Sequence, residues 1–281
     1  MSKQLTKDQY VEVGDIRTRY WALGDGKSSA ILLHGLGGYI ENWEENVAAL
    51  AQGRRVYALD LVGFGRSDKP QVTYSIPYLT EFVQKFMIVQ GVDKAALIGE
   101  SMGGAIALRF ALQYPHQVEK MVLAASAGLG KELSIYLRVM SLPVLGELFG
   151  RPSRKGSAQL LRQFFYNQDL ITDQWIEYHY EMSSLPGAQY CLLSALRSMS
   201  KVRGAKSDAY RPILDHLEEI EVPTLVIWGA QDRILPVAYA HRAVKRLPNA
   251  RVHIFDPCGH VPNIERAEEF NALVTDFLSN G

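Results

Sequence analysis

The sequence contains little cysteine, no net charge and no long apolar run, and each of these absences excludes a class of protein. Two cysteines, Cys191 and Cys258, occur in 281 residues without a Cys-x-x-Cys pair, so neither a disulfide framework nor a zinc knuckle is indicated. The 30 basic and 30 acidic residues cancel, which leaves no global field to attract nucleic acid or an acidic membrane. No stretch approaches the roughly 18 consecutive apolar residues of a membrane span. We expect two unpaired thiols, no metal site, no nucleic-acid partner and no membrane span.

The amino terminus also lacks a feature of exported proteins. The opening segment 1–10 carries lysines but no apolar stretch behind them, which a cleaved secretory signal would require. Hydrophobic residues make up 47% and charged residues 21% of the chain, and these proportions are typical of soluble globular proteins. We therefore expect a soluble, cytoplasmic protein with a large hydrophobic core.

Short aliphatic runs alternate with segments of helical period along most of the chain. The length of each run suits a buried strand. The runs lie at 30–33, 55–59, 95–98, 121–124, 224–228 and 251–255. The last helical segment places Ile264, Ala267, Asn271, Val274 and Leu278 on one face. Strand alternating with helix predicts an α/β fold, with a parallel sheet and helices on both of its faces.

Two segments depart from this alternation. Residues 10–21 alternate around Gly14-Asp15 and predict a hairpin at the antiparallel edge of the sheet. From about 129 to 217 helix-like runs follow one another with prolines between them, which predicts a helical cap inserted above the sheet. The predicted core then comprises residues 1–128 and 218–281, and the predicted cap comprises residues 129–217.

The segment Gly-Glu-Ser-Met-Gly at 99–103 follows a predicted strand and opens a predicted helix, which is the context of a nucleophile elbow. A serine on such a tight turn takes strained backbone angles, and glycines on either side leave space where a Cβ would clash. The five-residue pattern is weak on its own, and a helix-capping role for Ser101 is the alternative. The strand before it and the helix after it favour Ser101 as a nucleophile.

A serine hydroxyl needs a base to act as a nucleophile, usually an imidazole held by a carboxylate. Asp232 follows the predicted strand 224–228, and His260 follows the predicted strand 251–255. We expect His260 to be the base and Asp232 to orient it, since the other six histidines lie in predicted helices, within a strand or beside a turn. The chain order Ser, Asp, His is that of one fold family. The alternatives to Asp232 are Asp208, Asp215 and Asp256.

The segment His-Gly-Leu-Gly-Gly at 34–38 follows another predicted strand and can turn backbone N–H groups toward the edge of the sheet. Acyl transfer develops an alkoxide that such donors stabilise. We expect the N–H groups of Leu36 and Met102 to form this oxyanion hole. A phosphate-binding loop is the alternative, but the segment has neither the Lys-Ser/Thr ending of a P-loop nor the spacing of a dinucleotide fingerprint. The loop at 60–68 is expected to brace the core.

These motifs, in this order, resemble the α/β-hydrolase superfamily over nearly the whole chain. The resemblance implies a mainly parallel eight-stranded sheet with a helical cap, no cofactor, and chemistry through an acyl-enzyme. Ser101 differs from the aspartate that haloalkane dehalogenases and epoxide hydrolases carry at the elbow. Hydrolases that cleave C–C bonds in ring-cleavage products usually have Asn before the serine and Trp after the histidine, where this sequence has Glu100 and Val261.

We therefore expect a carboxylesterase-like serine hydrolase that cleaves small-molecule esters with small to medium acyl chains. Two alternatives stay open, a C–C bond hydrolase of vinylogous 1,5-diketones and a receptor-like protein that binds a ligand with slow turnover. Perhydrolase chemistry is open as a side activity. Large apolar residues of the cap are candidates for an acyl pocket, although packing within the cap explains each of them more simply. These candidates are Phe149, Phe164, Phe165, Trp175 and Met182.

Overall fold

The computed structural model describes residues 7–280, and within them eight strands form one sheet. The strands are β1 (Gln9–Val13), β2 (Ile16–Leu23), β3 (Ser28–Leu33), β4 (Arg54–Leu59), β5 (Ala95–Glu100), β6 (Val118–Ala124), β9 (Thr224–Gly229) and β10 (Ala250–Phe255), while β7 (Ser200–Lys201) and β8 (Gly204–Ala205) pair separately. The order is β1-β2-β4-β3-β5-β6-β9-β10. β2 pairs antiparallel with both β1 and β4 at one edge, and the remaining neighbours in the order β4-β3-β5-β6-β9-β10 pair in parallel. The predicted parallel sheet and edge hairpin are confirmed.

Helices cover both faces of this sheet. In chain order the helices of residues 7–280 are α1 (Val47–Leu50), α2 (Ile76–Val89), α3 (Met102–Gln113), α4 (Ile135–Met140), α5 (Leu145–Phe149), α6 (Arg154–Phe164), α7 (Asp173–Ser184), α8 (Ala188–Met199), α9 (Ser207–Leu214), α10 (Ala238–Arg246), α11 (Pro262–Glu265) and α12 (Ala267–Ser279). Leu33 packs into a cluster with Phe86 of α2 and Phe110 of α3, whereas its neighbour Leu32 packs on the other face with Phe270 of α12. Both faces of a central strand are thus apolar, which is why these strands appear in the sequence as continuous aliphatic runs.

All six predicted strands are present. The start of β6 differs from the predicted start, and a buried lysine explains the difference. This strand begins at Val118, before the predicted start at residue 121, and it includes the buried Lys120. The Lys120 ammonium donates to the carbonyls of Phe277 and Leu278 at 2.9 and 3.1 Å, near the end of α12. A buried charge is tolerated where it is hydrogen-bonded. The aliphatic pattern missed this partner because it comes from a distant helix.

The segment between β6 and β9 carries the six helices α4 to α9 and the β7–β8 hairpin. It therefore contains the residues predicted as a cap, whose domain boundaries at 129 and 217 stay a prediction. The carboxyl-terminal helix differs from its prediction. Ile264 belongs to the short α11. Arg266, with φ −127° and ψ 42°, is not helical and separates α11 from α12, which begins at Ala267.

Both cysteines are buried and unpaired. Across residues 7–280, no group of His, Cys, Asp or Glu side chains is placed to hold a metal ion. No helix in that part of the chain is long and apolar enough to cross a membrane.

Candidate active site

Ser101 lies on a tight turn between β5 and α3. Its φ of 52° and ψ of −112° are unusual for a residue with a Cβ, and a conformation of this kind costs roughly 1–3 kcal/mol. A Cβ on Gly103 would come within 2.1 Å of the Leu33 carbonyl oxygen, and one on Gly99 within 2.3 Å of the Gly103 carbonyl oxygen. The two glycines therefore let α3 lie directly on the sheet, and the turn presents the serine at the end of the strand.

The structure brings Ser101, His260 and Asp232 into one hydrogen-bonded chain. His260 Nε2 is 3.0 Å from Ser101 Oγ, and His260 Nδ1 is 2.8 Å from Asp232 Oδ2. The other oxygen of Asp232, Oδ1, accepts hydrogen bonds from the backbone N–H groups of Ile234 and Leu235 at 2.8 and 3.0 Å. A carboxylate held in this way selects the tautomer that donates from Nδ1, which leaves Nε2 free to accept the serine proton.

The electrostatic surroundings of His260 favour its protonated form. His260 is 2% exposed as a whole residue, and this burial opposes protonation of the ring. The negative charges of Asp232 and Glu100 outweigh burial and raise the pKa of His260 above its ordinary value. The imidazolium that forms when the base accepts a proton is therefore stabilised.

The glycine-rich loop after β3 carries one of the two expected oxyanion donors. Within residues 7–280, neither the Leu36 N–H nor the Met102 N–H is engaged by a backbone or side-chain acceptor. Both residues border the cleft space around Ser101. His34 fixes the loop, because its Nε2 accepts from the Leu61 N–H at 3.1 Å and burial lowers its pKa to about 4, so the ring is neutral.

The loop at 60–68 contacts the glycine-rich loop through the hydrogen bond from Leu61 to His34. The fully buried Asp60 accepts hydrogen bonds from the backbone N–H groups of Ile40 and Arg66, each at 2.7 Å, and lies 3.3 Å from the Arg19 guanidinium. Arg19 also pairs with Glu41 at 2.6 Å. These contacts agree with the bracing role expected from the sequence.

Two clefts meet at Ser101. The first is bordered by Phe164, Phe165, Trp175 and His179 on the cap side. The second runs along α3 toward α8, α9 and α10. Its lining is largely apolar and includes Met102, Leu137, Leu196, Met199, Leu235 and Tyr239. The arrangement offers separate space for the two parts of a substrate on either side of the serine.

The structure places two of the five candidate pocket residues outside both clefts at Ser101. Phe149 is 57% exposed and borders neither cleft at Ser101, because α5 turns its Gly146 side inward. Met182 is buried but borders a third cleft beside Lys69 and Gly65, away from Ser101. Apolarity predicted both as inward-facing residues, and it carries no information about which side of a cap helix faces the serine.

Sequence reasoning missed two carboxyl groups that lie close to the candidate base. Glu100 is buried, with Oε1 3.5 Å from His260 Nε2. Glu265 connects the loop that carries His260 with the cap, since its Oε1 accepts from the Gly259 N–H at 2.7 Å and its Oε2 from the Tyr166 N–H at 2.8 Å. The position of Glu100 inside the elbow motif was a signal for its location, whereas Glu265 gave none.

The model of the family described as alpha/beta hydrolase fold matches residues 31–267, which is most of the chain. The chain belongs to the α/β-hydrolase family. This α/β hydrolase is 35% identical over 263 residues to the 2-hydroxy-6-oxo-6-phenylhexa-2,4-dienoate hydrolase of Burkholderia cepacia, which covers 92% of this chain and 90% of the relative. These findings establish the fold and a hydrolase activity.

Solved structures extend the comparison. The meta-cleavage product hydrolase from Pseudomonas fluorescens IP01 superimposes with a TM-score of 0.82 at 28% identity, covering 99% of each chain. A membrane phospholipase A superimposes with a TM-score of 0.84 at 29% identity, covering 99% of this chain and 87% of the other. The fold therefore occurs with more than one substrate class, and the sequence relatives are named as hydrolases of 2-hydroxy-6-oxo-dienoates rather than of esters.

Proposed function

We propose that this α/β hydrolase uses Ser101 as a nucleophile to cleave the bond between a ketone carbon and a dienoate fragment, as in 2-hydroxy-6-oxo-dienoates. The observation that carries the hydrolase chemistry is the hydrogen-bonded chain from Ser101 through His260 to Asp232. The type of bond is supported by relatives that are 30–35% identical over more than nine-tenths of this chain and are named as hydrolases of such compounds.

In the proposed mechanism His260 removes the Ser101 proton as the serine oxygen adds to the carbonyl carbon. The Leu36 and Met102 N–H groups stabilise the resulting oxyanion, and Asp232 stabilises the imidazolium. The oxyanion then collapses, the carbon fragment leaves with the proton from His260, and an acyl-enzyme remains. Water, deprotonated by His260, repeats the addition and releases the acid. The carbon fragment can leave once the 2-hydroxydienoate has tautomerised to its 2-keto form, with the hydroxyl proton transferred to the carbon next to the ketone. The electron pair of the broken bond then delocalises through the remaining C=C bond onto the 2-oxo oxygen as a dienolate, which takes the proton from His260.

Ester hydrolysis is a second candidate, favoured by the charge of the clefts. No Lys or Arg is among the residues that border either cleft at Ser101, whereas Glu100 borders the first and Glu132 borders the second. A dienoate carries a negative charge that a cation would ordinarily neutralise, and a neutral ester needs no such partner. The apolar second cleft also suits an acyl chain.

A substrate panel separates the two candidates. We would measure kcat/KM for 2-hydroxy-6-oxo-6-phenylhexa-2,4-dienoate and for p-nitrophenyl esters from acetate to decanoate, using the wild type and Ser101→Ala. C–C hydrolysis is supported if the dienoate has the highest kcat/KM, and ester hydrolysis if an ester does. We expect Ser101→Ala to reduce either activity by roughly 10⁴-fold or more. Turnover retained by a folded Ser101→Ala protein would contradict the nucleophile, and a single burst without further turnover would indicate a receptor.

A further inference from the structure

Glu100 is a carboxyl group inside the site that the proposed triad does not use. Its side chain is 7% exposed and its Oε1 lies 3.5 Å from His260 Nε2. Its Oε2 lies against the oxyanion loop, since a Cβ added to Gly35 would come within 2.3 Å of that oxygen. The carboxyl group thus sits between the base and the loop that carries Leu36, at the wall of the first cleft.

Among the residues that the structure describes, no Lys or Arg side chain forms an ion pair with this carboxyl group. Within residues 7–280, His260 is the one basic side chain with a nitrogen within 4.0 Å of it. Asp232 adds negative charge from the other side of the ring, and His34 on the neighbouring loop is neutral because burial lowers its pKa to about 4. The active form of the site requires a neutral His260. In that form an ionised Glu100 leaves an uncompensated negative charge beside the reacting carbonyl.

The charge on Glu100 changes near neutral pH. Burial raises the pKa of Glu100 to about 7, against the opposing influence of His260 and the backbone hydrogen bond of Gly35. The group is therefore mainly neutral in mildly acidic solution and mainly negative in mildly alkaline solution.

We propose that Glu100 is a specificity-determining residue that excludes anionic substrates from the cleft at Ser101 when it is ionised and admits them when it is protonated. Two negative charges about 7 Å apart, at an effective dielectric constant of about 20, repel each other enough to change a binding constant by tenfold or more. Neutral substrates do not experience this repulsion. Because it acts on substrates turned over through Ser101, this role rests on the proposed function.

The test uses two esters that differ in charge at the far end of the acyl chain. p-Nitrophenyl hexanoate is neutral, and mono-p-nitrophenyl adipate is negative throughout the pH range of the experiment. We would measure kcat/KM for both from pH 6 to pH 8.5, after subtracting spontaneous hydrolysis. Any titration of His260 changes both rates and cancels in their ratio. We expect the ratio of anionic to neutral kcat/KM to fall about tenfold across this range.

Two variants show whether Glu100 causes the fall. In Glu100→Gln the ratio should stay constant with pH, at or above the wild-type value in acid, because the amide keeps the shape and loses the charge. Glu268→Gln removes the same charge from the exposed first turn of α12, and its ratio should fall as in the wild type. Circular dichroism and thermal melting would confirm that both variants are folded.

The outcomes are separable from those of the proposed function. A constant ratio in the wild type overturns the role of Glu100, even if Glu100→Gln does not fold. A ratio that still falls in a folded Glu100→Gln protein overturns it as well. Failure to hydrolyse either ester or the dienoate, or hydrolysis that survives Ser101→Ala, overturns the proposed function instead.

Discussion

The sheet edge and the cap meet around Ser101 but are built differently. At the sheet edge the His260 and Asp232 side chains are 3% and 0% exposed, and tight backbone contacts at Gly99 and Gly103 hold the turn. In the cap, large apolar side chains lie in solvent, with Ile135 of α4 73% exposed and Val144, which precedes α5, 74% exposed. The candidate catalytic residues therefore lie on a closely packed part of the molecule, whereas the cap residues that border the clefts belong to small, separate clusters of buried side chains.

The largest effect on activity should come from a substitution in the catalytic group at the sheet edge. Asp232→Asn should lower kcat by about 10⁴-fold with little change in melting temperature, because the amide keeps the volume but no longer selects the His260 tautomer or stabilises the imidazolium. Steady-state kinetics on the best substrate of the panel would measure this.

A neighbouring aspartate provides the matched control. Asp256 is exposed and accepts a hydrogen bond from the Gln231 side chain at 2.8 Å. Asp256→Asn should change kcat by less than about twofold, since it has no contact with His260. Comparable losses in the two variants would show that Asp232 does not hold the base.

An intermediate effect is expected where the two regions are joined. Glu265 accepts from Gly259 beside the candidate base and from Tyr166 and Asn167 in the cap. Glu265→Gln replaces one acceptor oxygen by an NH₂ donor that would face N–H groups. The variant therefore loses its hydrogen bonds either to Gly259 or to Tyr166 and Asn167. Losing a hydrogen bond to a charged group costs about 1.5–3 kcal/mol, and we expect kcat/KM to fall about tenfold or more.

Glu268→Gln, which changes an exposed carboxylate of α12, is the control for this junction. Unchanged kcat/KM in a folded Glu265→Gln protein would mean that the cap and the His260 loop are positioned independently of each other.

The smallest effect on activity should come from the exposed side of the cap. Phe149→Ser should alter kcat/KM by less than about twofold and the free energy of unfolding by less than about 0.5 kcal/mol, because the side chain is 57% exposed and does not border the clefts at Ser101. Phe165→Ala removes a 2% exposed ring and should cost about 3–5 kcal/mol of unfolding free energy. Chemical denaturation of both variants measures the difference, and a large effect of Phe149→Ser on activity would place substrate on α5.

The parts of the molecule that could be predicted are those with a short-range signal. Each buried strand is a run of aliphatic residues, and parallel strands end at one edge of a sheet, so the loops of Ser101, Asp232 and His260 were expected to converge there. The structure brings the three side chains together. The glycines of the elbow gave a similarly local signal, since the turn itself requires them.

The cap could not be predicted to the same depth. Phe164, Phe165 and Trp175 border the cleft at Ser101, whereas Phe149 and Met182 do not, although all five have the same apolar character. Which face of a cap helix points to the serine depends on its packing angle, and this angle is set by contacts between residues distant in sequence.

The sequence by itself determined the order of strands and helices, the elbow and the identity of the residues available for nucleophilic chemistry, because these follow from periodicity and from steric limits on adjacent residues. The tertiary structure alone decided that Glu100 faces His260 and pairs with no Lys or Arg among the described residues, that Glu265 joins the cap to the loop of the base, and that two clefts meet at Ser101. Electrostatic and shape relations of this kind arise between segments brought together only by folding, so no local pattern contains them.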